Sequence, residues 1–448
     1  MSNAPNAPGQ VTATAMPEMR SVARQIFLHA LTESSIRKAF DRYVQLERGI
    51  LRVGEDLFDL GSFSRIFVVA MGKAAHTMVE SLMTQLGSGV TGIVACSTDP
   101  VSQVFGFRYY HGGHPMPNAE SVKAAEAILR SLATHASRSL VLYLISGGAS
   151  AIVEKPVDER ITLEDLIATY KVLVHSGAPI REINAVRKHL SATKGGRLAK
   201  AASPAQQVSI LVSDVPDKSP DSLASGPTMP DTTTVEECHD IVRKHKMLKQ
   251  FPSSVRELFD RGRLEETPKH GDSAFERSRY LTVLGNDTAC KHAVGKAALS
   301  GFAVEVDNTC DDWDYEDAAD YLLKKLRELR KGVSRVCLIS GGEVTVKVTG
   351  DAGVGGRNQQ FALYCASKIA GESITVLSAG TDGIDGNSPA AGGVVDGNTW
   401  KRAADLGVDG KAALRDFDAY PLLNALGDAI VTGPTGNNIR DLRILLAY

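Results

Sequence analysis

The residues of this 448-residue chain that could do chemistry gather around five short glycine-rich stretches, four of which follow apolar, strand-like runs. In an open α/β sheet, ligands bind beyond the carboxyl ends of strands, where glycine lets backbone N–H groups approach an anion. A tight turn is the alternative for each single stretch. Together they predict a phosphate site whose candidate residues are Gly72, Ser146, Gly147, Gly148, Ala149, Ser150, Gly341, Gly342, Glu343, Gly355, Gly356 and Asn358.

Two cations stand next to these stretches. Lys73 ends the pattern RIFVVAMGK and begins an Ala-rich helical segment, where a cation is unfavourable unless an anion compensates it. Arg357 follows three nearby glycines, and its guanidinium could hold carboxylate or phosphate oxygens in a bidentate manner. An exposed lysine and a surface-paired arginine are the alternatives. We predict that both side chains bind phosphate.

Two acidic loops also follow apolar strands. Asp214 comes after VSILVS, and Asp382 comes after ITVLSAGT. Carboxylates near phosphates suit Mg²⁺, which takes one or two protein carboxylates plus phosphate oxygens. One of them, Asp214 in particular, could instead accept the proton of an attacking hydroxyl. Asx-turns would explain aspartate in such loops equally well.

Neither standard nucleotide-binding fingerprint is present. Phe67 stands where a P-loop needs its first glycine, and Ala74 stands where it needs serine or threonine. Asn358 occupies the third glycine position of the dinucleotide motif. The spacing of His111 and His114 invites a metal site, but no cysteine or carboxylate completes a ligand set nearby, and a rigid turn is the better interpretation. Any ATP must be bound through another scheme.

The elements that position these residues alternate between short β-branched runs and longer amphipathic segments, which predicts an α/β fold with parallel strands. Predicted strands are Arg65–Met71, Gly92–Cys96, Leu140–Ile145, Val208–Val212, Leu281–Leu284, Ala303–Val306, Arg335–Ile339, Val344–Val348 and Ile374–Leu377. Predicted helices include Lys73–Leu86, Ala119–Leu132 and Glu316–Arg330. Asn118 and Thr162 have the spacing of helix N-caps.

The charge-dense segment 256–279 is the predicted boundary between two domains. We expect a flexible tail over residues 1–18, a larger Rossmann-like domain over 19–255, a linker region over 256–279 and a smaller domain over 280–448. The repeated letters ISGG, at 145–148 and 339–342, suggest that the two halves are related.

Composition excludes several classes of protein. The formal charge is −2, from 50 Lys and Arg against 52 Asp and Glu, so no basic footprint for nucleic acid or an anionic membrane is evident. The six cysteines show no metal-ligand spacing, which is typical of reduced thiols. No apolar run approaches the roughly 20 residues of a membrane span, and the N-terminus lacks a signal-peptide pattern. We expect a cytoplasmic protein.

Ten blocks in order along the chain resemble the glycerate kinase family with a C-terminal MOFRL domain, whose members have often been labelled hydroxypyruvate reductases. The blocks span about Met19 to Leu446 and read VVAMGKAA, GGHPMP, SGGASA, REINAVRKHLSATKGGRLA, SDVPD, ASGPT, SGGEVTV, GGRNQQ, AGTDGIDG and TGPTGNN. The resemblance implies phosphorylation of D-glycerate by ATP with Mg²⁺, usually to 2-phosphoglycerate. It also implies a Rossmann-like domain, a smaller α/β MOFRL domain and an active site in the cleft between them.

Residue roles carry over where the blocks match. The lysine of the MGKAA block, Lys73, and the arginine of the GGRNQ block, Arg357, correspond to the catalytic pair proposed for the family. Glycerate's carboxylate would be held by Arg187, by Lys194 or by the amides of residues 146–150. A homodimer is a further expectation. The alternatives are an NAD(P)H-dependent hydroxypyruvate reductase and a non-catalytic protein that binds a small acid, because fold alone does not decide function.

Overall fold

The computed structural model describes residues 15–216, 218–348 and 350–448. The chain divides into two compact units. The first, Ile36–Leu284, is called the continuous unit below. The second combines the described residues up to Ser35 with Gly285–Tyr448 and is called the discontinuous unit.

The strands are β1 Val44–Glu47, β2 Ile50–Val53, β3 Asp56–Asp59, β4 Arg65–Met71, β5 Thr91–Cys96, β6 Phe107–His111, β7 Ser139–Ser146, β8 Gln206–Val212, β9 Ser278–Leu284, β10 Ala303–Val306, β11 Val336–Gly341, β12 Ile374–Gly380, β13 Gly392–Asp396, β14 Ala429–Ile430 and β15 Asp441–Ala447. The α-helices are α1 Ala15–Glu33, α2 Ile36–Tyr43, α3 Ala75–Leu86, α4 Ala119–Leu132, α5 Ala149–Ile152, α6 Leu163–His175, α7 Ile180–Leu190, α8 Arg197–Ala202, α9 Val235–Lys244, α10 Ser253–Asp260, α11 Asn286–Leu299, α12 Tyr315–Arg330, α13 Arg357–Lys368, α14 Thr399–Asp405, α15 Gly410–Arg415 and α16 Ala419–Ala425. Short 3₁₀ helices are Leu60–Ser62, Pro220–Ser225, Leu248–Gln250 and Ser273–Phe275.

The continuous unit is built on a parallel six-stranded sheet in the order β6-β5-β4-β7-β8-β9. Strand β7 is buried along its whole length, as expected for a central strand covered on both faces. The chain adds β5 on one side of β4 and later adds β7 on the other side. The topological switch point, where open α/β sheets bind ligands, therefore lies at the carboxyl ends of β4 and β7.

The discontinuous unit contains a mixed six-stranded sheet in the order β10-β11-β15-β12-β13-β14. Only β10 and β11 pair in parallel, and β15 runs antiparallel between β11 and β12. In this register Gly341 faces Leu442 and Gly380 faces Asp441. The start of β15 therefore lies at the sheet edge where β11 and β12 end.

Helix α1 belongs to the discontinuous unit although it precedes the continuous unit in sequence. Its Phe27 packs in one buried cluster with Ala293 of α11, Leu377 of β12 and Ile444 of β15. The helix begins at Ala15, inside the segment predicted as a flexible tail, and the rest of that prediction, residues 1–14, lies outside the described residues.

The other predicted boundaries also differ from the compact units. Residues 256–279 lie inside the continuous unit, where they include the end of α10 and the start of the edge strand β9. The predicted strand Val344–Val348 is wrong, because only Thr345 forms an isolated bridge, to Asp314. The predictions for β4, β10 and α4 are confirmed at both ends, as are the N-caps Asn118 and Thr162. Within the described ranges, no helix combines the length and the apolar character that a membrane crossing requires.

Candidate active site

The turn after β4 is fastened to the turn after β7. Gly72 has φ +119°, and a Cβ atom at this position would lie 2.3 Å from Ser146 Oγ and 2.5 Å from the Ser146 carbonyl oxygen. The backbone N–H of Lys73 donates to the Gly147 carbonyl at 2.9 Å, and that of Ala74 donates to Ser146 Oγ at 3.0 Å. Glycine is required at 72 because the two turns approach so closely. Lys73, whose side chain is exposed, is thereby held at the switch point.

Three chemically active side chains surround the turn at Gly147 and Gly148. A Cβ atom on Gly147 would lie 2.0 Å from Asp214 Oδ2, which places this carboxylate directly against the turn. A Cβ atom on Gly148 would lie 3.1 Å from Lys73 Cγ and 3.0 Å from His114 Cδ2. The structure therefore brings the predicted residues Lys73 and Asp214 to one place, together with the amides of the SGGAS segment.

His114 was not predicted as a site residue. Partial burial lowers its pKa, and the neighbouring Lys73 lowers it further. The lowered pKa favours the neutral imidazole, which can donate or accept a hydrogen bond. Its place in the GGHPMP block could have indicated that His114 belongs to the site. The interpretation of the histidine–proline pair as a rigid turn pointed away from that role.

Arg187 of α7 also reaches the SGGAS turn. Its guanidinium carbon lies 4.5 Å from the centre of the Tyr170 ring, and its Nη2 donates to Ser150 Oγ at 3.4 Å. Ser150 Oγ also lies 3.0 Å from Ser225 Oγ. The Arg187 Nε is buried and has no hydrogen-bond partner among the described residues. A partly buried guanidinium whose Nε donor is unused among the described residues suits an incoming carboxylate or phosphate oxygen.

Lys194 occupies a different kind of position. The side chain is 1% exposed, and its ammonium donates to the Ser150 carbonyl at 2.7 Å and forms an ion pair with the fully buried Glu154. Burial lowers the pKa of Lys194 to about 8. A substrate oxygen cannot reach this ammonium without displacing protein groups, so the geometry argues against the predicted direct contact at Lys194.

Arg357, at the start of α13, organises a second cluster at the edge of the discontinuous unit's sheet. Its Nε lies 2.7 Å from Asp441 Oδ2, and its Nη2 lies 2.9 Å from Glu343 Oε1. Burial lowers the pKa of Arg357, but the hydrogen bond and charge of Asp441 outweigh this and raise it overall. Burial raises the pKa of Glu343. Arg357 is thus a fixed cation held between two carboxylates.

A pocket of about 610 Å³ opens beside Arg357 and Asp382. Burial raises the pKa of Asp382, and the charge of Asp441 raises it further, while the Ile384 N–H donates to Asp382 Oδ1 at 3.2 Å. A carboxylate in this environment gains from a bound cation. The pocket is lined by Val344, Thr345, Val346, Arg357, Asp382, Ile384, Asp385 and Gly386.

In the turn after β11, the backbone amides that the sequence predicts as anion-binding groups donate hydrogen bonds to other protein groups. The N–H of Gly341 donates to Asn308 Oδ1 at 2.7 Å, and that of Glu343 donates to Asp311 Oδ1 at 3.0 Å. Arg440 holds Asp311 with two hydrogen bonds, of 2.6 and 2.7 Å. These contacts argue against a phosphate on the amides of Gly341 and Glu343.

The glycine-rich stretch before α13 packs against Asp385, the residue that caps the N-terminus of this helix. Asp385 accepts hydrogen bonds from the backbone N–H groups of Asn358 and Gln359, at 3.1 and 2.9 Å, and from both side-chain amides. Gly355 N–H donates to Asn387 Oδ1 at 2.8 Å, and the backbone of Gly356 lies against Asp385. These contacts within the protein disfavour the predicted cofactor contact at Asn358, and the same packing disfavours one at Gly355 and Gly356.

No group of three or more His, Cys, Asp or Glu side chains in the described part of the chain is arranged to hold a metal ion. A magnesium ion that arrives with a nucleotide needs only one or two carboxylates, with phosphate and water oxygens completing its shell. Asp214 beside the SGGAS turn and Asp382 in the pocket each fit this limited role. The donor set is compatible with a nucleotide-borne cation.

The fold and these side chains define an α/β protein of two units, with a lysine at the switch point of a parallel sheet and a carboxylate-flanked arginine at the edge of a mixed sheet. Residues 22–260 match the family model described as a domain of unknown function, DUF4147, and residues 336–441 match the MOFRL family. The chain belongs to the glycerate kinase family with a C-terminal MOFRL domain.

Relatives are similar over most of the chain. A D-glycerate 2-kinase of Thermotoga maritima is 36% identical over 86% of this chain and 91% of its own length. A putative hydroxypyruvate reductase of Agrobacterium vitis is 35% identical over 85% of this chain and 87% of its own. A crystal structure of glycerate kinase from Thermotoga maritima superposes with a TM-score of 0.85 at 33% identity. The match covers 96% of this chain and 100% of that chain.

Proposed function

We propose that this protein is a glycerate 2-kinase, which transfers the γ-phosphoryl group of ATP to D-glycerate and releases 2-phosphoglycerate and ADP. The observation that carries the proposal is the similarity to a D-glycerate 2-kinase over 91% of that enzyme's length. The geometry supports it independently, because Lys73, Asp214 and the SGGAS turn lie together at the switch point, where α/β sheets bind phosphorylated ligands.

In the reaction, a glycerate hydroxyl oxygen forms a bond to the γ-phosphorus while the bond between that phosphorus and the β,γ-bridging oxygen breaks. The hydroxyl proton must pass to a base, and Asp214 is the candidate, because its carboxylate lies against Gly147. Negative charge spreads over the transferred group, and fixed cations stabilise it. We assign this role to Lys73 and Arg357.

The acceptor is held by its carboxylate. Arg187 is the group that we assign to it, since its buried Nε has no partner among the described residues and its guanidinium carbon lies 4.5 Å from the centre of the Tyr170 ring, which supports it. The amides of Gly147 and Gly148 and the hydroxyl of Ser150 are further candidates for substrate or phosphate oxygens.

Magnesium would be held by Asp214 or Asp382 together with nucleotide oxygens, and when bound it would neutralise part of the polyphosphate charge. We also propose that the protein acts in the cytoplasm, which its six buried free cysteines support. The predicted homodimer is tested by light scattering coupled to gel filtration.

The function is tested with D-glycerate, MgATP and no nicotinamide, and the product is identified by ³¹P NMR. The expected result is stoichiometric 2-phosphoglycerate and ADP. A parallel reaction with hydroxypyruvate and NADH or NADPH, without ATP, is followed by nicotinamide absorbance. Turnover in the second reaction alone would replace the proposal with the reductase, and glycerate binding without either turnover would indicate a binding protein.

A further inference from the structure

A fully buried carboxylate lies behind the SGGAS turn of the continuous unit. Glu154 accepts hydrogen bonds from the Tyr170 hydroxyl at 2.7 Å, from the Ser191 hydroxyl at 2.5 Å and from the backbone N–H of Lys155 at 3.0 Å. It also forms an ion pair with Lys194, and neither side chain of that pair is more than 1% exposed.

Such a pair is a poor way to stabilise a fold. Moving both charges out of water costs several kcal/mol for each ion, and well-packed apolar residues of similar volume often give equal or greater stability. A buried pair does, however, fix the geometry of the groups that bind to it. The partners of Glu154 therefore indicate what the pair is for.

Two of those partners lead to the same turn. The Lys194 ammonium donates to the Ser150 carbonyl at 2.7 Å. The Tyr170 ring supports the Arg187 guanidinium at 4.5 Å, and Arg187 Nη2 in turn donates to Ser150 Oγ at 3.4 Å. Glu154 is thus linked to Ser150 by two separate routes, one through the backbone carbonyl and one through the side chain.

We propose that Glu154 and Lys194 are positioning residues that fix Ser150 and Arg187 for recognition of the acceptor's carboxylate. This inference rests on the proposed function, because it names the support of the same acceptor site. Neither residue touches substrate, since both are buried behind the turn. Their effect is therefore on the affinity for D-glycerate and not on the affinity for ATP.

The test uses the double variant Glu154→Gln with Lys194→Met in the full-length protein. This variant removes both charges together, so no buried charge is left without a partner, and the Gln oxygen can still accept from Tyr170. We expect the KM for D-glycerate to rise at least about ten-fold, as for a displaced positioning group, with the KM for ATP unchanged within two-fold. The matched control is Lys155→Met with Glu126→Gln, which removes a neighbouring but partly exposed ion pair, 3.0 Å apart, and should leave both KM values unchanged.

Coupling to Arg187 separates positioning from a general structural role. The triple variant combines Glu154→Gln and Lys194→Met with Arg187→Met. If the pair acts through Arg187, the total rise in the KM for D-glycerate in this triple variant should be much smaller than the product of the rises in the double variant and in Arg187→Met alone. Fully multiplicative effects, or equal increases in both KM values, would overturn the inference.

Calorimetric titration with D-glycerate alone keeps this inference distinct from the proposed function. A wild-type protein that binds D-glycerate without phosphorylating it would refute the kinase, while the double variant would still be expected to bind at least about ten-fold more weakly. An active wild-type kinase whose double variant binds with unchanged affinity would refute the positioning role alone. A wild-type protein that neither binds nor phosphorylates D-glycerate would overturn both.

Discussion

At the scale of single residues, Lys73 is the side chain whose removal should matter most for turnover. Its backbone is fixed by a hydrogen bond to Gly147 and its ammonium is exposed at the switch point, so Lys73→Ala removes a preorganised cation without disturbing a buried contact. We expect kcat to fall at least about 100-fold, the scale of losing one such group. Steady-state kinetics measure this, with Lys123→Ala, an exposed lysine paired to Glu120, as the control. Wild-type turnover in folded Lys73→Ala would refute the assignment.

Gly72 gives a prediction about stability that does not depend on the reaction. Alanine there would need φ +119° and would place its Cβ 2.3 Å from Ser146 Oγ, so the two turns must separate. Gly87→Ala is a matched control, because its φ of +68° is also unfavourable but nothing lies within 4 Å of the new Cβ. We expect Gly72→Ala to lose about 1–3 kcal/mol more than the control in urea unfolding. Equal losses would show that the turns are not locked together.

The sequence predicted which residues stand at strand ends, but it did not show which of their polar groups already bind within the protein. Lys73 and Asp214 lie together as expected, because strand ends can be recognised from apolar runs followed by glycine. Lys194 and Asn358 were interpreted as ligand contacts, yet Lys194 is paired with Glu154 and Asn358 with Asp385. Their partners are 40 and 27 positions away, so only the folded chain reveals that these polar groups are already satisfied.

At the scale of elements, the carboxylate that caps α13, Asp385, predicts that the stability of the protein depends on pH. Burial raises the pKa of Asp385 from 3.8 to about 6. Between pH 3.8 and about 6, the folded protein therefore binds a proton at Asp385 more tightly than the unfolded chain does. The stability from this group is therefore fully present below about pH 4 and is lost as the pH rises through 6.

The measurement compares wild type with Asp385→Asn, which cannot titrate at this position. Urea unfolding at pH 5, 6 and 7 should show the wild-type free energy of unfolding falling by about 1 kcal/mol relative to the variant over this range. Parallel pH profiles of the two proteins would mean that Asp385 ionises normally in the folded state.

Strand pairing explains which elements the sequence missed. Residues 344–348 alternate as a strand should, but in the described part of the chain they pair only through the single bridge at Thr345. Val344, Thr345 and Val346 instead line the pocket beside Arg357. Strand β15 was not predicted, although it is central in its sheet, because Asp441 and the buried Arg443 interrupt the apolar pattern at its start. Its antiparallel direction brings Asp441 next to Arg357, a contact that a parallel arrangement of predicted strands does not suggest.

At the scale of the whole molecule, residues 15–35 belong to the discontinuous unit, residues 36–284 build the continuous unit, and residues 285–448 return to the discontinuous unit. Nothing local in the sequence of helix α1 states which of the two large sheets it covers. The answer depends on packing between residues that are more than 250 positions apart, as with Phe27 and Ala293. For this reason the predicted domain bounds and the compact units differ over residues 19–35.

Helix α1 should therefore be indispensable for the discontinuous unit. Phe27 is 1% exposed in the cluster with Leu377 and Ile444, so Phe27→Ala leaves a cavity and should cost about 3–5 kcal/mol. Leu28, the next residue on the same helix, is 46% exposed, and Leu28→Ala should change stability by about 0.5 kcal/mol or less. Hydrogen exchange of the amides in α11, β12 and β15 measures how each variant changes the local stability of this unit. Only Phe27→Ala should strongly accelerate the exchange of these amides. If both variants exchange these amides at the wild-type rate, α1 is an accessory to that sheet and the cluster around Phe27 contributes little to its stability.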